Sequence, residues 1–292
     1  MQEVKLPLLD SANVKLLIKR EDLIHQEVGG NKWRKLIGNL ELVSNESYEG
    51  IVTYGGAFSN HIHATAASCY LANIPCIGII RGEYDEQNPT LQFALDKGMK
   101  LEFVSREAYR LKAADPSIEK ILFKYKNFLE VPEGGSSLKA LIGLEALGDE
   151  IEAMKEVDHV TVSAGTGMTA VGIIKYQSRP VTVFSALKGD FLSQEISNIA
   201  SDDSFELNTQ YHFGGYGKSP APLIDFINTF KSDTGIALDP IYNGKAIYGV
   251  LDMIKKGSFP EGTTLLHIHT GGLQGVQAYN YMANKKDKPL IL

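Results

Sequence analysis

Short apolar runs alternate along this chain with longer stretches whose apolar residues recur at helical spacing. Strand-length runs are Ile51–Tyr54, CIGII at 76–80 and KLEFV at 100–104. Between them lie an alanine-rich helix pattern over about 60–71 and a second one that opens at Asn88-Pro89 and stops near Gly98. Asn88 reads as an N-cap and Pro89 as the first helical residue, where a missing N–H is harmless. Another helix is expected over about 117–128. Strands joined by helices must cross over, and crossovers build parallel sheets covered by helices. After PEGGSS at 132–137 the alternation restarts. A long helix is expected over about 137–155, then the strand HVTVSA at 159–164, the loop GTGMT and a helix from about 168. Strands VTVFSA at 181–186 and TLLHIH at 264–269 follow, with helices at about 220–231 and 245–256. The expectation is an α/β protein: two open parallel-sheet domains with helices on both faces and an active site in the cleft between them. The glycine-serine joint is the expected seam. Residues 1–45 plus 134–292 then form the large domain and 46–133 the small one.

A chain of 292 residues suffices for two such units. Lysine and arginine number 29 against 35 acidic residues, a net charge of −6 with no basic run, which argues against nucleic acid as a partner. The apolar runs are too short to span a bilayer, and MQEVKLPLLD lacks the apolar core of a signal peptide, so a cytoplasmic protein is expected. Cys69 and Cys76, flanked by apolar residues, read as buried thiols rather than a disulfide or a metal pair.

In open α/β sheets ligands sit where strands lead into helices, and three such loops stand out. SAGTGMT at 163–169 offers backbone N–H groups and hydroxyls to an anion at a helix N-terminus. It lacks the Gly-Lys-Ser/Thr of a P-loop and the acidic residue of a dinucleotide fingerprint, so one phosphate fits better than a pyrophosphate. The loop alone would also allow a nucleotide-binding protein. GGAFSNH at 55–61 turns sharply and opens a helix with Ser59, Asn60 and His61, a receptor for a carboxylate or an ordinary cap. HTGG at 269–272 puts Thr270 at a strand end. No metal is expected: His61 and His63 point to different helix faces, and His267 and His269 share a strand face without a third ligand.

GGNKWRK at 29–35 adds an amine. Trp33, Leu36, Ile37, Leu40 and Val43 mark one helix face, and Lys32 falls in the first turn, where the helix dipole disfavours a cation. A solvated surface charge is the plain reading of such a lysine. A neutral nucleophile is the other, since the dipole lowers the amine pKa. An amine, a carboxylate receptor and a single-phosphate cradle are explained together by pyridoxal 5'-phosphate, which carries one phosphate and an aldehyde that condenses with lysine.

The motifs GGNKWRK, TYGGAFSNHIHATAASC, SAGTGMTA, GGYGKSP, DPIYNGKA and HTGG occur in this order. Together they resemble the 1-aminocyclopropane-1-carboxylate (ACC) deaminase/D-cysteine desulfhydrase family, a branch of the fold-type II, tryptophan-synthase-β-like enzymes that use pyridoxal phosphate. The resemblance implies that Lys32 is the Schiff-base lysine. It implies that Ser59, Asn60 and His61 hold the substrate carboxylate, with Asn60 also meeting the cofactor phenolate oxygen and Ser59 near the reacting carbons. Ala164, Gly165, Thr166, Gly167, Met168 and Thr169 become the phosphate ligands, and Tyr216 and Tyr242 two active-site tyrosines. Thr270 matches the residue that hydrogen-bonds the pyridine nitrogen.

The resemblance also separates two chemistries. ACC-deaminating relatives typically carry glutamate after the DP-[VI]-Y tyrosine and leucine before the late glycine pair. The D-cysteine branch tends to have small hydroxyl residues at both. Thr270 follows the second pattern, whereas Asn243 follows neither. A neutral partner for the ring nitrogen makes the ring a weaker electron sink and suits β-elimination. The segments between RGE at 81–83 and Pro89, and around 105–117, are shorter than is usual for the family. The expected function is thus a deaminase and carbon-sulfur lyase, with Lys32, Ser59, Tyr216 and Tyr242 catalytic. It acts on a small amino acid such as D-cysteine, giving pyruvate, ammonia and sulfide. The alternatives are ACC deamination and a cofactor-retaining binding protein with little turnover. A homodimer is implied by the resemblance alone.

Overall fold

The computed structural model describes residues 1–292. The chain begins with β1 (Gln2–Val4) and β2 (Lys15–Arg20). The middle of the chain carries β3 (Gly50–Gly56), β4 (Cys76–Arg81), β5 (Lys100–Val104) and β6 (Phe128–Val131). The last strands are β7 (His159–Ala164), β8 (Val181–Ser185), β9 (Phe205–Asn208) and β10 (Thr264–His269). They form two sheets, β1-β2-β10-β7-β8-β9 and β5-β4-β3-β6. Every pairing is parallel except β1 with β2, an antiparallel edge. No helix is long and apolar enough to cross a membrane.

The chain divides into two compact units. The larger comprises residues 1–24, 29–31 and 144–292, the smaller residues 25–28 and 32–143. Both borders differ from the expected ones. The helix Asn31–Asn45 places Val43, with Leu40 beside it, in the apolar cluster of Ile51, Ile62, Ala66 and Ile80, so from Lys32 onward it belongs with the smaller sheet. PEGGSS is no seam. It forms a short 3-10 turn, Glu133–Gly135, bonded to that helix, and the following helix Ala140–Glu152 starts against it: a Cβ on Gly143 would lie 2.1 Å from the Arg34 carbonyl oxygen. The unit border therefore falls inside a helix, where composition carries no signal.

Each sheet buries both faces, which is why its strands are apolar throughout rather than alternating. In the smaller unit, Ile51 and Ile80 pack towards the helices Asn60–Leu71 and Pro89–Asp96, while Val52, Tyr54, Ile77 and Ile79 pack towards Arg106–Leu111 and Pro116–Lys124. In the larger unit, Leu16, Ile18, Phe184 and Leu265 meet the helices Ala221–Thr234 and Asn243–Lys255. Asn88 caps its helix as expected, accepting the N–H groups of Thr90 and Leu91 at 2.9 and 3.1 Å. The helix expected to 128 ends at Lys124, because Phe128–Val131 is recruited as a strand beside β3.

Candidate active site

Three adjacent strands of the larger sheet end at one edge: β2 at Arg20, β10 at His269 and β7 at Ala164. The loops leaving these ends are bonded to one another. The Asn31 N–H donates to the Thr270 carbonyl at 3.1 Å, and the Asn31 side-chain amide donates to the Thr169 hydroxyl at 2.8 Å. Gly30 has φ +80°, and a Cβ there would lie 2.0 Å from the Thr270 carbonyl oxygen, so only glycine lets the two backbones meet.

SAGTGMT runs from β7 into the helix Met168–Tyr176, with Gly167 at the N-cap and no side chain capping that end. Its first-turn N–H groups are thus presented to an anion. Ala164, Gly167, Met168 and Thr169 are buried, Gly165 is half-buried and Thr166 exposed. A Cβ on Gly165 would sit 2.9 Å from the Tyr242 ring, so the loop packs where no side chain fits. Backbone donors, two threonine hydroxyls and this narrow floor fit one phosphate group, as pyridoxal phosphate requires.

Tyr242 is placed by a carboxylate. Asp239 accepts the N–H groups of Ile241, Tyr242 and Asn243 at 2.9, 2.8 and 2.9 Å, capping the helix Asn243–Lys255. The Tyr216 ring meets the Tyr242 ring edge-on, with centroids 6.0 Å apart, and Tyr216 is 49% exposed. Asn243 is fully buried and engaged at both ends. Its Nδ2 donates to Asp239 Oδ1 at 2.7 Å and to the Gly271 carbonyl at 2.9 Å. Its Oδ1 accepts the Thr270 N–H at 3.0 Å and lies 3.3 Å from the Thr270 hydroxyl. The Thr270 hydroxyl is also 3.3 Å from that of Ser163, at the end of the neighbouring strand.

The other sequence-predicted residues lie in the smaller unit. Lys32 Nζ donates to the Gly134 carbonyl at 3.1 Å and Lys35 Nζ to the Ser136 hydroxyl at 3.3 Å, so both amines address one loop. Burial pushes Lys32 down to about 8, against an upward pull from its hydrogen bond to Lys35 and from Glu133. Lys35 lies well below the ordinary lysine range, from burial first and the Lys32 charge second. Lys32 is therefore not a solvated surface charge, and desolvation leads the shift. Lys35 carries no motif signal in the sequence beyond its i,i+3 spacing from Lys32, which puts both on one helix face.

Ser59 is the N-cap of Asn60–Leu71, its oxygen accepting the N–H groups of His61 and Ile62 at 3.2 and 3.3 Å. Its O–H remains a donor. Ser59 and Asn60 are half-buried at this helix start. His61 departs from its expected place among the carboxylate receptors. Its ring is buried, with Nε2 2.7 Å from the Thr53 hydroxyl and Nδ1 3.5 Å from that of Thr65. Thr53 donates its own proton to the Val131 carbonyl at 2.7 Å, so it accepts from His61 Nε2–H. Burial, then Lys32 and Lys35, hold His61 well below the usual histidine range, and the ring is neutral. Apolar surroundings on the inward helix face draw the imidazole into the unit's core. Cys69 and Cys76 are free and buried, as their flanks imply.

The chain matches the family described as pyridoxal-phosphate dependent enzyme over residues 2–271. A putative 1-aminocyclopropane-1-carboxylate deaminase of Pyrococcus horikoshii is 30% identical over 90% of this chain and 86% of that protein. The bifunctional mitochondrial D-cysteine desulfhydrase/1-aminocyclopropane-1-carboxylate deaminase of Arabidopsis thaliana is 28% identical over 89% of this chain and 73% of that protein. Among solved structures, an ACC deaminase homologue superposes with a TM-score of 0.81 at 24% identity, covering 98% of this chain and 91% of that one. A pyridoxal 5'-phosphate-dependent aspartate racemase shares the fold at a TM-score of 0.68 and 15% identity, covering 92% and 89%.

Proposed function

This chain belongs to the pyridoxal-phosphate dependent enzyme family, and we propose that within its ACC deaminase/D-cysteine desulfhydrase branch it acts as a D-cysteine desulfhydrase-like lyase. Pyridoxal phosphate, when bound, supplies an aldehyde for the anchoring amine and a conjugated ring that takes up the electron pair left by the α-proton. Lys32 is the anchoring amine and then the group that moves the α-proton. Ala164–Thr169 take the phosphate through N–H groups and hydroxyls. Asn60 would meet the ring oxygen, and Ser59 with Asn60 would orient the substrate carboxylate. Thr270 would hydrogen-bond the ring nitrogen, while Tyr216 and Tyr242 would flank the substrate as proton donors or acceptors. The Cα–H and Cβ–S bonds of the substrate break and sulfide leaves with the electron pair. The resulting 2-aminoacrylate takes up water and yields pyruvate and ammonia.

The observation that carries this reading is the neutral pair Asn243–Thr270. Asn243 Nδ2 faces two acceptors, Asp239 Oδ1 at 2.7 Å and the Gly271 carbonyl at 2.9 Å. A carboxylate at 243 would meet oxygens on both sides, so this pocket is built for an amide, and the group that would partner the ring nitrogen is the Thr270 hydroxyl. Elimination needs less electron withdrawal by the ring than opening of a cyclopropane, because the leaving group carries the electrons away. Deamination of ACC is the second reading, favoured by relatives of that name such as those of Pyrococcus horikoshii and Pseudomonas syringae.

The test is the visible spectrum of the holoenzyme during addition of D-cysteine, with pyruvate assayed in parallel. A spectral change with pyruvate formation is expected. An unchanged spectrum with D-cysteine and formation of 2-oxobutanoate from ACC would replace the first reading by the second. Silence with both substrates would leave a cofactor-holding protein without these activities.

A further inference from the structure

Lys245 is a buried cation that none of the roles above employs. It sits in the first turn of the helix Asn243–Lys255 and is 2% exposed. A cation there is opposed by the helix dipole, and burial pushes its amine down to about 8, with Asp239 pulling the other way. An apolar side chain of the same length would avoid this desolvation. The amine makes one bond in the fold, donating to the Gly215 carbonyl at 2.9 Å. Gly215 directly precedes Tyr216. The segment turns through left-handed backbone at Phe213, Gly214, Gly215 and Gly217, with φ of +52°, +92°, +107° and +69°. Glycine's freedom makes the turn possible and also leaves it little intrinsic stiffness. The Gly215 carbonyl accepts from the Lys218 N–H at 3.1 Å as well, so it is the pivot of the turn.

Three residues upstream of Lys245, on the same helix start, is Tyr242, whose ring meets that of Tyr216. Asp239 fixes Tyr242 through its backbone N–H, and Lys245 fixes the loop of Tyr216 through the neighbouring carbonyl. We propose that Lys245 is a positioning residue: by clamping the Gly215 carbonyl it holds the Tyr216 side chain in register with Tyr242. The assignment rests on the reading of Tyr216 as an active-site tyrosine.

The experiment compares Lys245→Met, Tyr216→Phe and the double variant as holoenzymes, on whichever of D-cysteine or ACC the wild type turns over. Amide exchange over 213–218 should accelerate at least tenfold in Lys245→Met, with the visible cofactor absorption retained. Its kcat should fall about tenfold while KM changes less than threefold. In the Tyr216→Phe background the same substitution should add less than twofold. Unchanged exchange over 213–218, or an equal kcat loss in both backgrounds, overturns the proposal. If Tyr216→Phe alone leaves turnover intact, the catalytic reading of Tyr216 fails, and the exchange measurement by itself decides the clamp. Should Lys245→Met not fold, Lys245→Leu, which also lacks a donor, takes its place under the same criteria.

Discussion

Lys32 and Lys35, one helical turn apart, are both withdrawn from water and hydrogen-bond to the same loop, at Gly134 and Ser136. Two neighbouring amines, one half-buried and one buried, cannot both stay charged cheaply, and the one nearer ordinary behaviour, Lys32, is pushed down to about 8. An anchoring amine must be neutral to attack an aldehyde.

Reactivity of Lys32 should therefore rise with pH through about 8 rather than through the ordinary lysine value. At pH 7.5 about a quarter of the amine is neutral, against about one part in a thousand for an unperturbed lysine. The rate at which cofactor-free protein takes up pyridoxal phosphate, followed by visible absorption against pH, checks this. Lys32→Ala should take up no absorbing cofactor. A midpoint near pH 10 would show that desolvation does not govern the group.

Asn243→Asp keeps the shape and removes two donors. The new carboxyl would face Asp239 Oδ1 and the Gly271 carbonyl in the positions now 2.7 and 2.9 Å from Nδ2. A loss of about 3 kcal/mol in unfolding free energy at neutral pH is expected, of the size seen when a buried group is left unpaired. Burial and Asp239 raise the pKa of the new acid, so the loss is full above that pKa and shrinks as pH falls through it. Urea unfolding at pH 7.5 and at pH 5 measures both points, and a pH-independent loss would contradict the charge argument.

His61→Ala should act on stability rather than on substrate binding. The ring fills space in the smaller unit and is hydrogen-bonded to Thr53 at 2.7 Å. Its removal leaves a cavity and an unpaired hydroxyl acceptor, together about 2–4 kcal/mol. Denaturant midpoints should fall accordingly while KM changes less than threefold. A large rise in KM with unchanged stability would return His61 to the carboxylate receptor.

Gly30→Ala brings a Cβ to 2.0 Å from the Thr270 carbonyl oxygen at a φ of +80°. Backbone on both sides must move, at a cost of about 3 kcal/mol or more. The thermal midpoint should drop and cofactor affinity weaken, because Lys32 lies two residues on. Calorimetry and a cofactor titration measure the two effects separately.

Local chemistry made much of this protein legible from the chain alone. Parallel strands buried on both faces are apolar runs, caps such as Asn88 are short-range, and strand-to-helix loops rich in glycine and hydroxyl residues can be picked out by their composition. Lys32, Ser59 and the SAGTGMT loop stand out for those reasons, and the order of six motifs carried the family. Other features depend on partners distant in sequence. β6 is a strand only because β3 lies beside it, and the unit border runs inside helices because packing, not composition, sets it. Whether a polar side chain faces ligand or core is likewise settled by what folds around it. His61 matches a carboxylate receptor by motif and lies in the core. Lys35 and Lys245 carry no local signal in the sequence and are buried, each bonded to a loop far along the chain. Burial and long-range hydrogen bonds set the pKa and direction of such groups, and both exist only once the tertiary structure has brought those residues together.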